Sequence, residues 1–206
     1  MKGLLISGFT AIAAGTGSML TLHAGAGLDP VHSVISEYAF QSIGWLLPLS
    51  LTLFAVGSAL IAGALARAGA DRRVVLLMVA WGVSMFLIGA FPTDRPGVPL
   101  SLSGGIHRYA AFVAFLVMPV AGLLLARART RYAGALRALS GVALAALLAV
   151  VVPYVIRMFG IDLTNDDIPA GVTQRVVVVT EVAVLALAGL SLLRQRSQGA
   201  VSPILA

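Results

Sequence analysis

The chain contains no cysteine, and charged side chains make up only 11% of it. The first absence removes disulfides and thiolate-bound metals. The second removes the soluble classes, because a water-facing domain of this size needs a far more charged surface than this one has. Mean hydropathy is +1.00 and 59% of residues are apolar, so lipid is the expected solvent. The ten-residue alternation of a membrane barrel is missing as well. A net charge of +6 invites a nucleic-acid partner, but the arginines are dispersed over separate short connections and make no basic face. Nucleic acid is therefore not expected.

Six apolar runs remain, at about 3–25, 43–66, 74–91, 107–126, 139–159 and 173–193. Each approaches the roughly 20 residues an α-helix needs to cross about 30 Å of hydrocarbon. The expected fold is all-α: one domain spanning residues 1–206, a polytopic bundle of six transmembrane helices. The first run, with Lys2 before it and Ala24-Gly25-Ala26 after it, has the outline of a secretory signal. It is long for one, and is read as a retained span. Its small residues (Gly8, Ala11, Ala14, Gly15, Gly17, Ser18) predict a packed interior helix.

Charge sets the orientation. Lys2, Arg67, Arg72, Arg73, Arg127, Arg129, Arg131, Arg137, Arg194 and Arg196 fall on one side, ten of the fourteen basic residues. The positive-inside bias makes that side cytoplasmic, with both termini, in a cell-membrane protein. The other side holds Asp29, Glu37, Asp94, Asp162, Asp166, Asp167 and all three histidines.

On that outer side, Asp29-Pro30 reads as a helix start that places His32, Ser33, Ser36 and Glu37 on one face. Such a helix would lie on the membrane or extend the second span outward. Pro48 is expected to bend that span, and Met118-Pro119 and Pro153 mark further breaks. Pro96, Pro99 and Gly104-Gly105 interrupt the loop before the fourth span, which opens on His107-Arg108-Tyr109. The sixth opens on Thr173-Gln174-Arg175 and carries Glu181 two turns further in, where a carboxylate must be protonated, paired or facing water.

Taken in order, Ile35-Ser36-Glu37, Phe91-Pro92-Thr93-Asp94, His107 after a glycine pair, and Gly171 followed by Gln174-Arg175 resemble the domain-of-unknown-function family 998. These are six-span membrane proteins of bacteria and archaea, and the resemblance covers essentially the whole chain. It implies architecture, since no activity attaches to the family. By residue it points to Ser36, Glu37, Asp94, His107 and Arg175.

Four readings of the outer cluster stay open. Ion pairs of Asp94, Glu37 or Glu181 with Arg175, Arg108 or Arg157 would lock helix ends together. A site formed by Ser36, Glu37, Asp94, His107, Arg108, Gln174, Arg175 and Glu181 would bind a membrane lipid headgroup or a small amphiphile, the guanidinium groups providing planar donors for an anion. His32, Asp94 and His107, with His23 or Glu37 nearby, would hold zinc for a membrane-embedded hydrolase, and Ser36 is the alternative nucleophile. No HExxH or GxSxG spacing accompanies that third reading. Glu181 would serve a proton-coupled transporter.

Overall fold

A computed structural model describes residues 1–95, 97–128, 130–160 and 168–199, excepting the side chains of Tyr154, Arg157, Met158 and 194–199. Among the described residues the elements are α1 (Lys2–Gly25), a 3-10 helix (Ile35–Phe40), α2 (Leu46–Arg67), α3 (Arg72–Ala90), α4 (Leu102–Arg127), α5 (Ala133–Met158) and α6 (Ala170–Gly199). All six α-helices carry a stretch long and apolar enough to cross a membrane. Leu20, Leu76, Leu148 and Val179 are each more than half exposed, a surface that suits lipid rather than water.

Sequential helices pack against one another as antiparallel neighbours, with α6 also packed against α1, α2 and α4. The bundle therefore has a basic end (68–71, 128, 130–132) and a second end, here the site end, carrying 26–45, 91–95, 97–101, 159–160 and 168–169. Between them lies a core of Phe54, Ile61, Met78, Trp81, Met118 and Leu185.

The first span differs from expectation. Leu5, Gly8, Ala11, Ile12, Gly15, Met19 and Leu22 are buried along one face of α1, while Ala14, Gly17 and Ser18 are not. It is a flanking helix whose small residues serve α2. A Cβ on Gly57 would meet Ile12 at 2.8 Å and the Gly8 carbonyl at 3.2 Å. Ser50 Oγ donates to the Gly15 carbonyl at 2.8 Å, and Ser58 Oγ does the same for Met78 on α3.

Two further expectations are corrected. Pro48 sits in the first turn of α2, where an N–H would have no intrahelical acceptor, so it removes no helical bond. Residues from Asp29 onward form one turn, not a helix: Asp29 Oδ1 accepts from Val31 N at 2.9 Å, and the chain is extended at Val34 before the 3-10 helix. His32 and Ser36 consequently share no helical face. The Pro30, Val31 and Ser33 carbonyls and the Ile35 N–H are bonded to α6 instead.

Candidate functional site

The segment 28–40 is a strap laid across the start of α6, and Arg175 holds it. Its Nη1 donates to the carbonyls of Pro30 (2.9 Å), Ser33 (2.8 Å) and Gly171 (2.8 Å). Nη2 donates to Tyr38 Oη at 2.8 Å, and Nε to His23 Nε2 at 3.0 Å. Nitrogen accepting from a guanidinium carries no proton, so His23 holds its proton on Nδ1, which donates to the Met19 carbonyl at 2.8 Å. The His23 and Tyr38 rings pack at a tilt of 50° with centroids 4.8 Å apart. Val172 N donates to the Val31 carbonyl at 3.1 Å, and Gln174 Oε1 accepts from Ile35 N at 2.5 Å. Glycine is required at 171, because a Cβ would meet the Ser33 carbonyl at 2.5 Å.

Asp94 performs a similar task for α4. Its carboxylate accepts from Ser101 N at 2.9 Å, while Ser101 Oγ caps Gly104 N at 3.0 Å. A Cβ at Gly104 would collide with that carboxylate. These bonds draw Leu102–Ile106 into the helix, so the glycine pair expected to break structure lies inside α4, which starts five residues earlier than expected. The Ser101 hydroxyl and backbone N–H hold the Asp94 carboxyl below its ordinary value, and the Arg108 charge adds to this. Arg95 sits 5.0 Å over the Phe40 ring, tying this loop to the 3-10 helix.

His107 is buried on α4. Its Nδ1 faces the carbonyls of Ile88 (3.1 Å) and Phe91 (2.9 Å) and so carries the proton, leaving Nε2 as the acceptor nitrogen. It lines a cavity of about 440 Å³ bounded by the 3-10 helix, α4, α5 and the start of α6. Ser36, Thr93, His107, Arg108, Thr173 and Gln174 supply the polar part of the wall. Phe112, Phe115, Leu147, Val150 and Pro153 supply the apolar part.

Of the expected site residues, Ser36, His107, Arg108 and Gln174 therefore meet at one cavity. Asp94, Arg175, Glu37 and Glu181 are not among its lining residues. Glu37 is half-buried on the 3-10 helix beside Ser36. Glu181 is fully buried on α6, and its Oε2 accepts from Trp81 Nε1 at 2.9 Å. Arg175 and Glu181 thus bind neutral groups rather than the ion-pair partners expected of them. His32 Nδ1 lies 2.5 Å from Asp29 Oδ2, and among the described residues no three His, Asp or Glu side chains form a metal-binding group. His32, Asp94 and His107 do not converge. The Arg157 side chain and Asp162, Asp166 and Asp167 lie outside the described residues.

Sequence reasoning missed His23 and Tyr38 as acceptors for Arg175, and Trp81 as the donor for Glu181. One signal was available. A lone indole in the middle of α3 and a lone carboxyl in the middle of α6 each need a polar partner at the same depth.

No curated protein and no solved structure matches the chain. The family model described as "Protein of unknown function (DUF998)" matches residues 5–191, and the chain belongs to that family of membrane proteins.

Proposed function

We propose that the cavity beside His107 binds an anionic amphiphile, a lipid headgroup or a small amphiphilic molecule, from the extracytoplasmic side of the cell membrane. The observation that carries this reading is the cavity's two-part wall. Arg108, His107, Gln174, Ser36 and the two threonines offer cationic, donor and acceptor groups at the site end. Phe112, Phe115, Leu147 and Val150 continue inward as an apolar lining matched to a hydrocarbon chain. Its volume falls within the roughly 300–1,000 Å³ range of small-molecule sites. Arg108 is the cation for the head, because a guanidinium stays charged and presents planar donors. The orientation rests on the basic residues gathered at the opposite end, which the positive-inside bias places in the cytoplasm with both termini.

The test is lipid extraction and mass spectrometry of the protein purified in mild detergent. Parent protein should carry anionic lipid that Arg108→Ala and Gln174→Ala lose severalfold, with Arg127→Ala at the basic end as control. Equal lipid in all four proteins removes the reading.

His107 favours one second reading, hydrolysis of the bound amphiphile. Two carbonyls fix its Nδ1 proton, so Nε2 is available as a general base in the cavity that Ser36 also lines. Release of free acid from an added ester lipid, abolished in both His107→Ala and Ser36→Ala, is the expected result. Binding without turnover leaves the site a receptor.

A further inference from the structure

Glu181 is used by neither reading. It is fully buried, and Trp81 Nε1 satisfies its Oε2 while Oε1 has no hydrogen-bond partner among the described residues. The ionisable groups of the helices around it lie elsewhere. His23 on α1, Glu37 on the 3-10 helix, His107, Arg108 and Tyr109 on α4 and Arg175 on α6 itself are at the site end, and Lys2 on α1, Arg67 on α2, Arg72 and Arg73 on α3, Arg127 on α4 and Arg137 on α5 are at the basic end. Trp81 is the polar group that reaches it. An ionised carboxylate with no cation, at the depth of the bilayer core, is the costliest arrangement available to this residue. A neutral acid fits the geometry directly: one oxygen accepts from the indole and the other carries a proton.

On α6 the cavity wall ends at Gln174, at about 1.5 Å per residue roughly 10 Å nearer the site end than Glu181. Gln174, on the cavity wall, stands seven residues before Glu181 and therefore on the same face of α6. A cavity of about 440 Å³ has room for several waters, each occupying roughly 30 Å³ in the liquid.

We propose that Glu181 is a proton-binding site in the membrane core, loaded and unloaded through the cavity from the site end, with Trp81 as the fixed donor that holds the carboxyl in place. The proton moves to and from Oε1 by way of water in the cavity, and the carboxyl keeps its bond to Trp81 throughout. The route operates when water rather than an amphiphile chain occupies the inner part of the cavity.

Infrared difference spectroscopy of the full-length protein in lipid tests it. The parent should show the carbonyl stretch of a protonated carboxylic acid, absent from Glu181→Gln, whose amide oxygen can still accept from Trp81. On transfer to heavy water that band should shift as the proton exchanges, and Ala111→Phe, which fills the cavity, should slow the shift severalfold. Absence of the acid band means that Glu181 is ionised, which overturns the proposal. A band that never shifts makes Glu181 a sealed structural acid and overturns it too. An exchange rate unchanged by Ala111→Phe overturns the route through the cavity. In a Trp45→Phe background Trp81 is the sole indole, so its emission should shift when Glu181→Gln is added; unchanged emission sinks the Trp81 pairing.

Discussion

Arg175 shows what a single guanidinium does at a membrane boundary. It gathers three backbone carbonyls, a phenol and an imidazole, all neutral, from three separate stretches of chain. Hydrogen bonds with one charged partner are each worth about 1.5–3 kcal/mol. Tyr38 is fully buried, so Tyr38→Phe strands one Nη2 donor and should cost about 1–3 kcal/mol, read as a lower melting temperature in detergent. Arg175→Lys should cost more, because three donors on one point cannot span the five acceptors that a planar fork reaches. A melting profile unchanged by Arg175→Lys would mean the strap is held by other contacts. Asp94 contributes through pH. Its folded value lies below its ordinary 3.8, so its stabilisation of the α4 start is present above that value and is lost as pH falls through the folded one. Asp94→Asn should remove this acid-side loss from the melting temperature measured against pH. Gly104→Ala should destabilise at every pH by about 1–3 kcal/mol, because its methyl group displaces the carboxylate.

At the scale of elements, the strap is the part that packing alone would not hold. It consists of one turn, an extended residue and a six-residue 3-10 helix, and beside their short-range bonds it is tied to α6 through the Pro30, Val31 and Ser33 carbonyls and the Ile35 N–H. Arg175→Ala should therefore expose residues 26–45 to limited proteolysis while the six helices stay intact by circular dichroism. Resistance equal to the parent would show that Gln174 and Tyr38 packing suffice. The same contrast explains what was legible beforehand. Each span was readable because twenty apolar residues in a row have one physical solution in lipid. The strap was not: Asp29-Pro30 looks like a helix start whether the helix continues or stops after one turn, and only the long-range acceptors on α6 decide. The start of α4 failed for a related reason. Gly104 reads as a breaker until Asp94, ten residues earlier in sequence, is known to occupy the space a side chain would need.

For the whole molecule, polarity is sorted by end, and that sorting was visible in the order of charges along the chain. Which polar groups share a cavity was not visible, because Ser36, His107, Arg108 and Gln174 meet only through the packing of α4, α5 and α6 around the strap. The functional reading needs that cavity to open away from the cytosol, and orientation is open to a direct measurement. The chain has no cysteine, so single introduced thiols report their own side without background. Val98 lies exposed in the loop of the site end and Ala68 lies exposed at the basic end. In right-side-out vesicles a membrane-impermeant maleimide should label Val98→Cys at once and Ala68→Cys only after the vesicles are opened. Seven arginines in and beside the two basic-end connections (Arg67, Arg72, Arg73, Arg127, Arg129, Arg131 and Arg137) favour that orientation, because holding them inside avoids translocating them. The reverse labelling pattern would turn the cavity toward the cytosol, where its ligand would have to come from the inner leaflet or the cell interior.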